Sequence, residues 1–249
     1  MEAYVKKTIN KGIATIEFFH PAHNSLPGVL LAKLANTIKE AGEDNNIKVI
    51  ILKSGGDRTF CAGASFEELI SINDAATGKI FFSGFANVIN EMRKCPKFII
   101  GRIQGKTVGG GVGIASATDY CMATKFAAIK LSELNVGIGP FVVGPAVERK
   151  LGLSGMSQIA IDANSFYSAE WALQKGLFSQ VYESTEELDE GVTEFAENLC
   201  KYNPDAMKEM KKVFWRGTED WDDLLAERAA ISGRLVLSDF TKETLKKFK

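Results

Sequence analysis

The chain has almost nothing with which to hold a metal ion. Its 249 residues include two histidines, His20 and His23, and four cysteines, Cys61, Cys95, Cys121 and Cys200, scattered with no C-x-x-C pair. No ligand spacing of a structural zinc site is present, and the scatter reads as free thiols in a reducing compartment. Excess charge is missing too. A formal net charge of -1 argues against a sequence-independent nucleic-acid binder, which needs a basic surface to displace phosphate counterions. No apolar run approaches the ~18 residues of a membrane span. The opening MEAYVKKTINKGIATIEFF lacks a continuous apolar stretch with a small-residue cleavage site, so the chain is expected to be soluble, unexported and cytoplasmic. Low-complexity segments and linkers are absent. At 45% hydrophobic and 24% charged residues, the chain can bury a sizeable core as one large domain or one and a half.

Glycine, by contrast, is concentrated. The stretch GKTVGGGVGIASATDYCM, residues 105–122, places five glycines within nine positions directly after the apolar Phe98 to Ile103. A phosphate-cradling loop is the first reading to test, and the spacing rejects it. Three residues separate Gly101 from Gly105 where the P-loop needs four, and Gly109, Gly110, Gly111 and Gly113 give no G-x-G-x-x-G.

The rest of the chain alternates strands and helices. GIATIEFF reads as a strand, HPAHNSLP as a break, and GVLLAKLANTIKEAGED as a helix with Leu30, Leu31, Leu34, Ala35 and Ile38 at helical spacing. IKVIILKS is a β-branched run suited to a buried strand. GGDRTFCAGASFEELI then connects strand to helix, a second helix covers roughly Ala75 to Arg93, and KFIIGRIQG is the next strand. More short strands are expected in YCMATKFAAIKLSELNVGI, then helix, turn, helix and strand as far as SQVYES. From about Glu186 only helices are expected: Leu188 to Cys200, one starting near Pro204, and one from Asp220 to Leu237. Trp221, Leu224, Leu225, Arg228 and Leu235 mark one broad face of the last helix, which could dock on a partner subunit or on its own domain.

Two glycine-containing loops, CAGAS and GGG, thus follow strands, and each could offer a backbone N–H to one point, as an oxyanion hole requires. On glycine content alone both read first as tight turns. Taken alone, Glu133 reads as a solvated or capping carboxylate, and Phe141 equally as a core residue.

TFCAGAS, followed some 45 residues later by QGKTVGGGVGIASATDYCMAT and then KLSELNVGIGP, resembles the crotonase superfamily of acyl-CoA enzymes. The likeness extends over most of the chain, from ATIEFFHPAHNSL to SAEWALQKGLFSQVY. It implies an α/β fold, a crotonase-like spiral of ββα units over residues 1–185 with a helical C-terminal oligomerisation region over 186–249, assembled as homotrimers or homohexamers. It also implies an oxyanion hole from the N–H groups of Ala64 and Gly110, which would hold the thioester oxygen of an enolate. Where a hydratase of the family reads G-G-G-C-E, this chain reads GGGVG, so Gly113 stands at the place of the first carboxylate. The second carboxylate is kept as Glu133 in LSELNVGI.

One carboxylate fits hydration poorly, because water must be held and deprotonated while Cα receives a proton. Moving a double bond from the 3,4 to the 2,3 position needs one base and an oxyanion hole. The expectation is therefore a 3,2-enoyl-CoA isomerase with Glu133 as sole base and Phe141 at the acyl pocket. The alternatives are an enoyl-CoA hydratase, including a methylglutaconyl-CoA type, or a non-catalytic thioester binder. No metal, nucleotide or flavin is expected, and coenzyme A enters only as part of the substrate.

Overall fold

The structure is a computed structural model and describes residues 2–247. A six-stranded sheet in the order β1-β2-β4-β7-β9-β12 forms its centre. β1 (Tyr4–Asn10) and β2 (Ile13–Phe19) are an antiparallel hairpin, and β4 (Val49–Ser54), β7 (Phe98–Ile103), β9 (Tyr120–Thr124) and β12 (Gln180–Tyr182) continue it in parallel. Lys11 and Gly12 make the hairpin turn with φ of 49° and 82°, the two left-handed residues that a tight two-residue hairpin demands.

Short strands form a second, four-stranded sheet ordered β11-β10-β8-β5, from β5 (Thr59–Cys61), β8 (Lys106–Val108), β10 (Ala128–Lys130) and β11 (Tyr167–Ser168). Each long central strand passes to a short one and then to a helix. β4 leads through β5 to α2 (Phe66–Ser71) and α3 (Ala75–Lys94), β7 through β8 to α4 (Gly110–Ala117), and β9 through β10 to α5 (Gly144–Ile161). This repeat is the expected ββα spiral. β3 (Ser25–Leu26) and β6 (Gly63–Ala64) pair separately, Leu26 opposite Ala64.

The run VIIL in β4 is continuous because both faces of the strand are buried. Ile50 and Leu52 enter the main core with Leu34 and Ile38 of α1 (Gly28–Glu43). Val49 and Ile51 face the other way, with Ile100 and Met122, onto Leu188, Val192 and Ala196 of α7 (Thr185–Leu199). The helical region that starts near residue 186 thus packs directly on the central sheet. Arg102 of β7, 4% exposed, is joined to Asp189 of α7 by a bidentate pair at 2.8 and 2.9 Å.

α6 (Ala169–Gln174), α8 (Pro204–Phe214) and α9 (Trp221–Leu235) fall where the sequence places helices. α9 packs along α3 of its own chain, with Trp221, Leu225 and Ala229 buried and Leu224, Arg228 and Leu235 of the same face partly exposed. Among the elements that escaped the sequence reading are β1, the short strands β5 and β6 inside the GGDRTFCAGAS connection, and a last helix, α10 (Asp239–Lys246). All four cysteines are free thiols.

Candidate active site

The glycine cluster becomes the start of α4, and its neighbours explain the missing side chains. Gly109 caps the helix with φ 54° and ψ -117°, a backbone state that L side chains rarely adopt. A Cβ there would also stand 3.1 Å from the Glu133 carboxyl oxygen. Gly110 abuts the ring of Phe85, within 2.3 Å of where its Cβ would lie. What comes so close to this backbone is a carboxylate and a phenyl ring.

Glu133 opens a short 3-10 turn, Glu133–Val136, which ends on Gly137 in the left-handed region at φ 78°. The residue as a whole is half-buried, yet its Oε2 is out of solvent contact and has no hydrogen-bond partner. Removing a carboxylate from water disfavours its charged form. Burial accordingly pushes the Glu133 carboxyl from 4.5 up to about 7, against smaller opposing effects of backbone N–H groups at Glu133 and Ser132.

Ala64, Gly110, Glu133 and Phe141 all line one cavity of ≈ 490 Å³. Gly110 is the first residue of α4, so its N–H is among those a helix leaves without an intrahelical acceptor. Ala64 ends β6, its carbonyl held by the Ser25 hydroxyl at 2.9 Å. The two loops touch: a Cβ on Gly63 would lie 3.9 Å from the Gly110 nitrogen. The cavity thus brings together the strand end at Ala64, the helix N-terminus at Gly110 and a carboxyl whose pKa burial raises toward neutrality.

Gly113 does not line the cavity. It lies in the buried interior of α4, and a Cβ there would meet Val143 Cγ1 at 2.5 Å and Ile89 Cδ1 at 3.3 Å. Val143 itself lines the cavity. The volume next to position 113 is therefore filled by valine.

Sequence reasoning missed Phe81, Phe82 and Phe85 of α3, Val143, Ser232 and His20 as cavity residues. Phe82 and Phe85 stand at helical spacing, the one readable signal among them. Glu67, exposed on α2, also reaches the cavity wall, whereas its neighbour Glu68 accepts the Gly28 N–H at 2.9 Å and does not line it. Among the described residues no three His, Cys, Asp or Glu side chains are grouped to hold a metal ion.

Known proteins carry the same fold and sequence pattern. A solved enoyl-CoA hydratase from Bacillus halodurans superposes with a TM-score of 0.90 at 22% identity, over 98% of this chain and 99% of that one. The peroxisomal Delta(3,5)-Delta(2,4)-dienoyl-CoA isomerase of Arabidopsis thaliana is 27% identical over 88% of this chain and 84% of its own length. The short-chain-enoyl-CoA hydratase of Clostridium acetobutylicum is likewise 27% identical, over 95% and 90%. The sequence profile described as Enoyl-CoA hydratase/isomerase matches residues 8–248. The chain belongs to the enoyl-CoA hydratase/isomerase family, the crotonase superfamily.

Proposed function

We propose that the protein is a 3,2-enoyl-CoA isomerase in which Glu133 is the only base. The observation that carries this reading is a single enclosed carboxyl, without a hydrogen-bond partner at Oε2, on a cavity where position 113 is glycine backed by Val143. The Glu133 carboxylate takes a proton from C2 of a 3-enoyl thioester. The electron pair left at C2 delocalises onto the thioester oxygen, which the N–H groups of Ala64 and Gly110 receive. Glu133 then returns the proton at C4, and the double bond lies between C2 and C3. No water enters the product. The cavity wall of Phe81, Phe82, Phe85 and Phe141 suits an acyl chain, and its low polarity keeps the proton on the carboxyl between the two steps.

The base must start ionised. For 3-hexenoyl-CoA, kcat/KM is expected to rise with pH as a one-proton function with a midpoint near 7, the value to which burial pushes Glu133, and to be flat above it. A rate independent of pH between 5 and 9 would remove Glu133 from the role of base. No metal is part of the reading, so EDTA is expected to leave turnover intact. Loss of activity with EDTA and recovery with one metal would overturn that part. The oligomer that goes with it is a trimer or hexamer, which light scattering measures.

A hydratase is the second reading, favoured by one specific observation: Glu67 reaches the same cavity and could supply a second carboxyl. Its exposure sets it at the rim, where a carboxylate is readily solvated. Glu67→Gln is therefore expected to keep isomerisation within about threefold of wild type, below the ~10²-fold a positioned acid or base contributes. A loss of that larger size, accompanied by hydration in the wild type, would favour the hydratase.

A further inference from the structure

A second cleft, of ≈ 520 Å³, is lined by Asp119, Arg149, Lys150, Gly176 and Phe214 and shares no residue with the cavity around Glu133. Asp119 is its one carboxylate, and that carboxylate is already taken. Its Oδ2 accepts from Lys211 Nζ at 2.7 Å and from the Ile99 N–H at 2.8 Å, and its Oδ1 from Trp215 Nε1 at 2.9 Å. Lys211 is 2% exposed, so the Lys211–Asp119 pair is internal and neutral as a unit.

Arg149 and Lys150 are left over. Neither takes part in an ion pair among the described residues. Their hydrogen bonds go to neutral carbonyls: Arg149 Nη2 donates to the Phe214 carbonyl, and Lys150 Nζ donates to the Asp119 carbonyl at a long 3.4 Å. The Arg149 guanidinium lies 4.0 Å from the Trp215 ring centroid, which fixes its position while using none of its N–H groups. Burial lowers the pKa of both groups, with the Asp119 charge opposing it. Two adjacent half-buried cations that make no ion pair of their own are costly, even with the Asp119 charge nearby. An anion with several acceptor oxygens would remove that cost, bonding to the planar fork of arginine and the point charge of lysine together.

We infer that the cleft between α5, the Gly176 turn and the end of α8 is a binding site for a phosphate group, held by Arg149 and Lys150. Phosphate near neutral pH carries about -1.5 to -2 charge and three acceptor oxygens, which matches two free cations better than a carboxylate does. The cleft is larger than a single ion, so the phosphate is either inorganic or part of a small molecule.

Thermal unfolding and calorimetric titration test this on the intact protein, with inorganic phosphate replacing chloride at constant ionic strength. Phosphate is expected to raise the unfolding midpoint above chloride, with a dissociation constant of about 1 mM or tighter. Lys150→Gln and Arg149→Gln are each expected to weaken that binding about tenfold or more. Arg149→Gln also removes the contact with Trp215, so Lys150→Gln is the cleaner variant. A parallel titration with adenosine 3′,5′-bisphosphate separates the sources: tighter binding than inorganic phosphate, lost in Lys150→Gln, makes the ligand a nucleotide, and equal binding makes it the phosphate alone. Phosphate no better than chloride, or an undiminished response in Lys150→Gln, would overturn the assignment.

Discussion

Glu133→Gln is expected to lower isomerase turnover by about 10²-fold or more, while saturated acyl-CoA thioesters still bind with nearly wild-type affinity. The loss follows from removing the one enclosed acid/base at the cavity, and the retained binding from leaving the backbone donors at Ala64 and Gly110 in place. Glu68→Gln is the control, since Glu68 bonds to the Gly28 N–H and not to the cavity. Glu133→Gln should also stabilise the fold at alkaline pH. A carboxyl whose pKa rises on folding from 4.5 to about 7 contributes its full stability below 4.5 and loses it as pH rises through about 7. The wild type therefore carries, at pH 8, a cost on the order of 3 kcal/mol for holding this charge away from water. Gln carries no such charge. Urea unfolding at pH 5 and pH 8 should show the advantage of the variant growing with pH. A variant with more than about a tenth of wild-type turnover, or with an advantage that shrinks as pH rises, would contradict the role given to Glu133.

The second large effect is expected at Gly113. Its replacement by glutamate, the residue a two-carboxylate hydratase carries there, meets Val143 Cγ1 at 2.5 Å and Val143 Cβ at 2.7 Å before any carboxyl is placed. Overpacking of this kind commonly costs about 1–3 kcal/mol, and an unpaired buried carboxyl adds to it. Gly113→Glu alone is thus expected to unfold at markedly lower temperature and to lose activity of every kind. Removing the obstructing side chain changes the outcome. The double variant Gly113→Glu, Val143→Gly should recover much of the stability and place a second carboxyl toward the cavity that Glu133 and residue 143 both line. Two nearby carboxyls resist ionising together, so one can act as acid while the other activates water. Thermal unfolding and the ratio of hydrated to isomerised product check both halves. A single Gly113→Glu variant as stable as wild type would show that the contact with Val143 does not govern this position.

Much of this architecture was legible because burial leaves a pattern in sequence. β4 is buried on both faces and its VIIL reads as an unbroken apolar run, β7 opens on the apolar FII, and α1 shows its core face at helical spacing. β1 was not legible. It is the edge of the sheet, and most of YVKKTIN is solvent-facing, so it carries no alternation strong enough to mark a strand. α10 has Thr241 and Leu245 as its buried residues, too few to set a period. β5 and β6 are three and two residues long, below the length at which any pattern is distinct.

The site divides in the same way. Ala64, Gly110 and Glu133 were placed by motif resemblance, because a backbone N–H leaves no mark on residue type and Glu133 is one acidic residue among many. Val143 had no signal: its importance comes from which gap it fills across the fold, and a sequence does not show that. The phenylalanines of α3 had a helical period, but a period marks a buried face without saying whether the face meets core or substrate.

The most direct measurement is the partition between bond migration and hydration by the wild-type protein, with 3-hexenoyl-CoA and 2-hexenoyl-CoA as separate substrates and products identified by mass spectrometry. A sole enclosed carboxyl at Glu133 predicts that 3-hexenoyl-CoA is converted to 2-hexenoyl-CoA much faster than 2-hexenoyl-CoA is hydrated to the 3-hydroxy thioester. Brisk hydration with no isomerisation would mean that one carboxyl at this site suffices to activate water, and it would contradict the account.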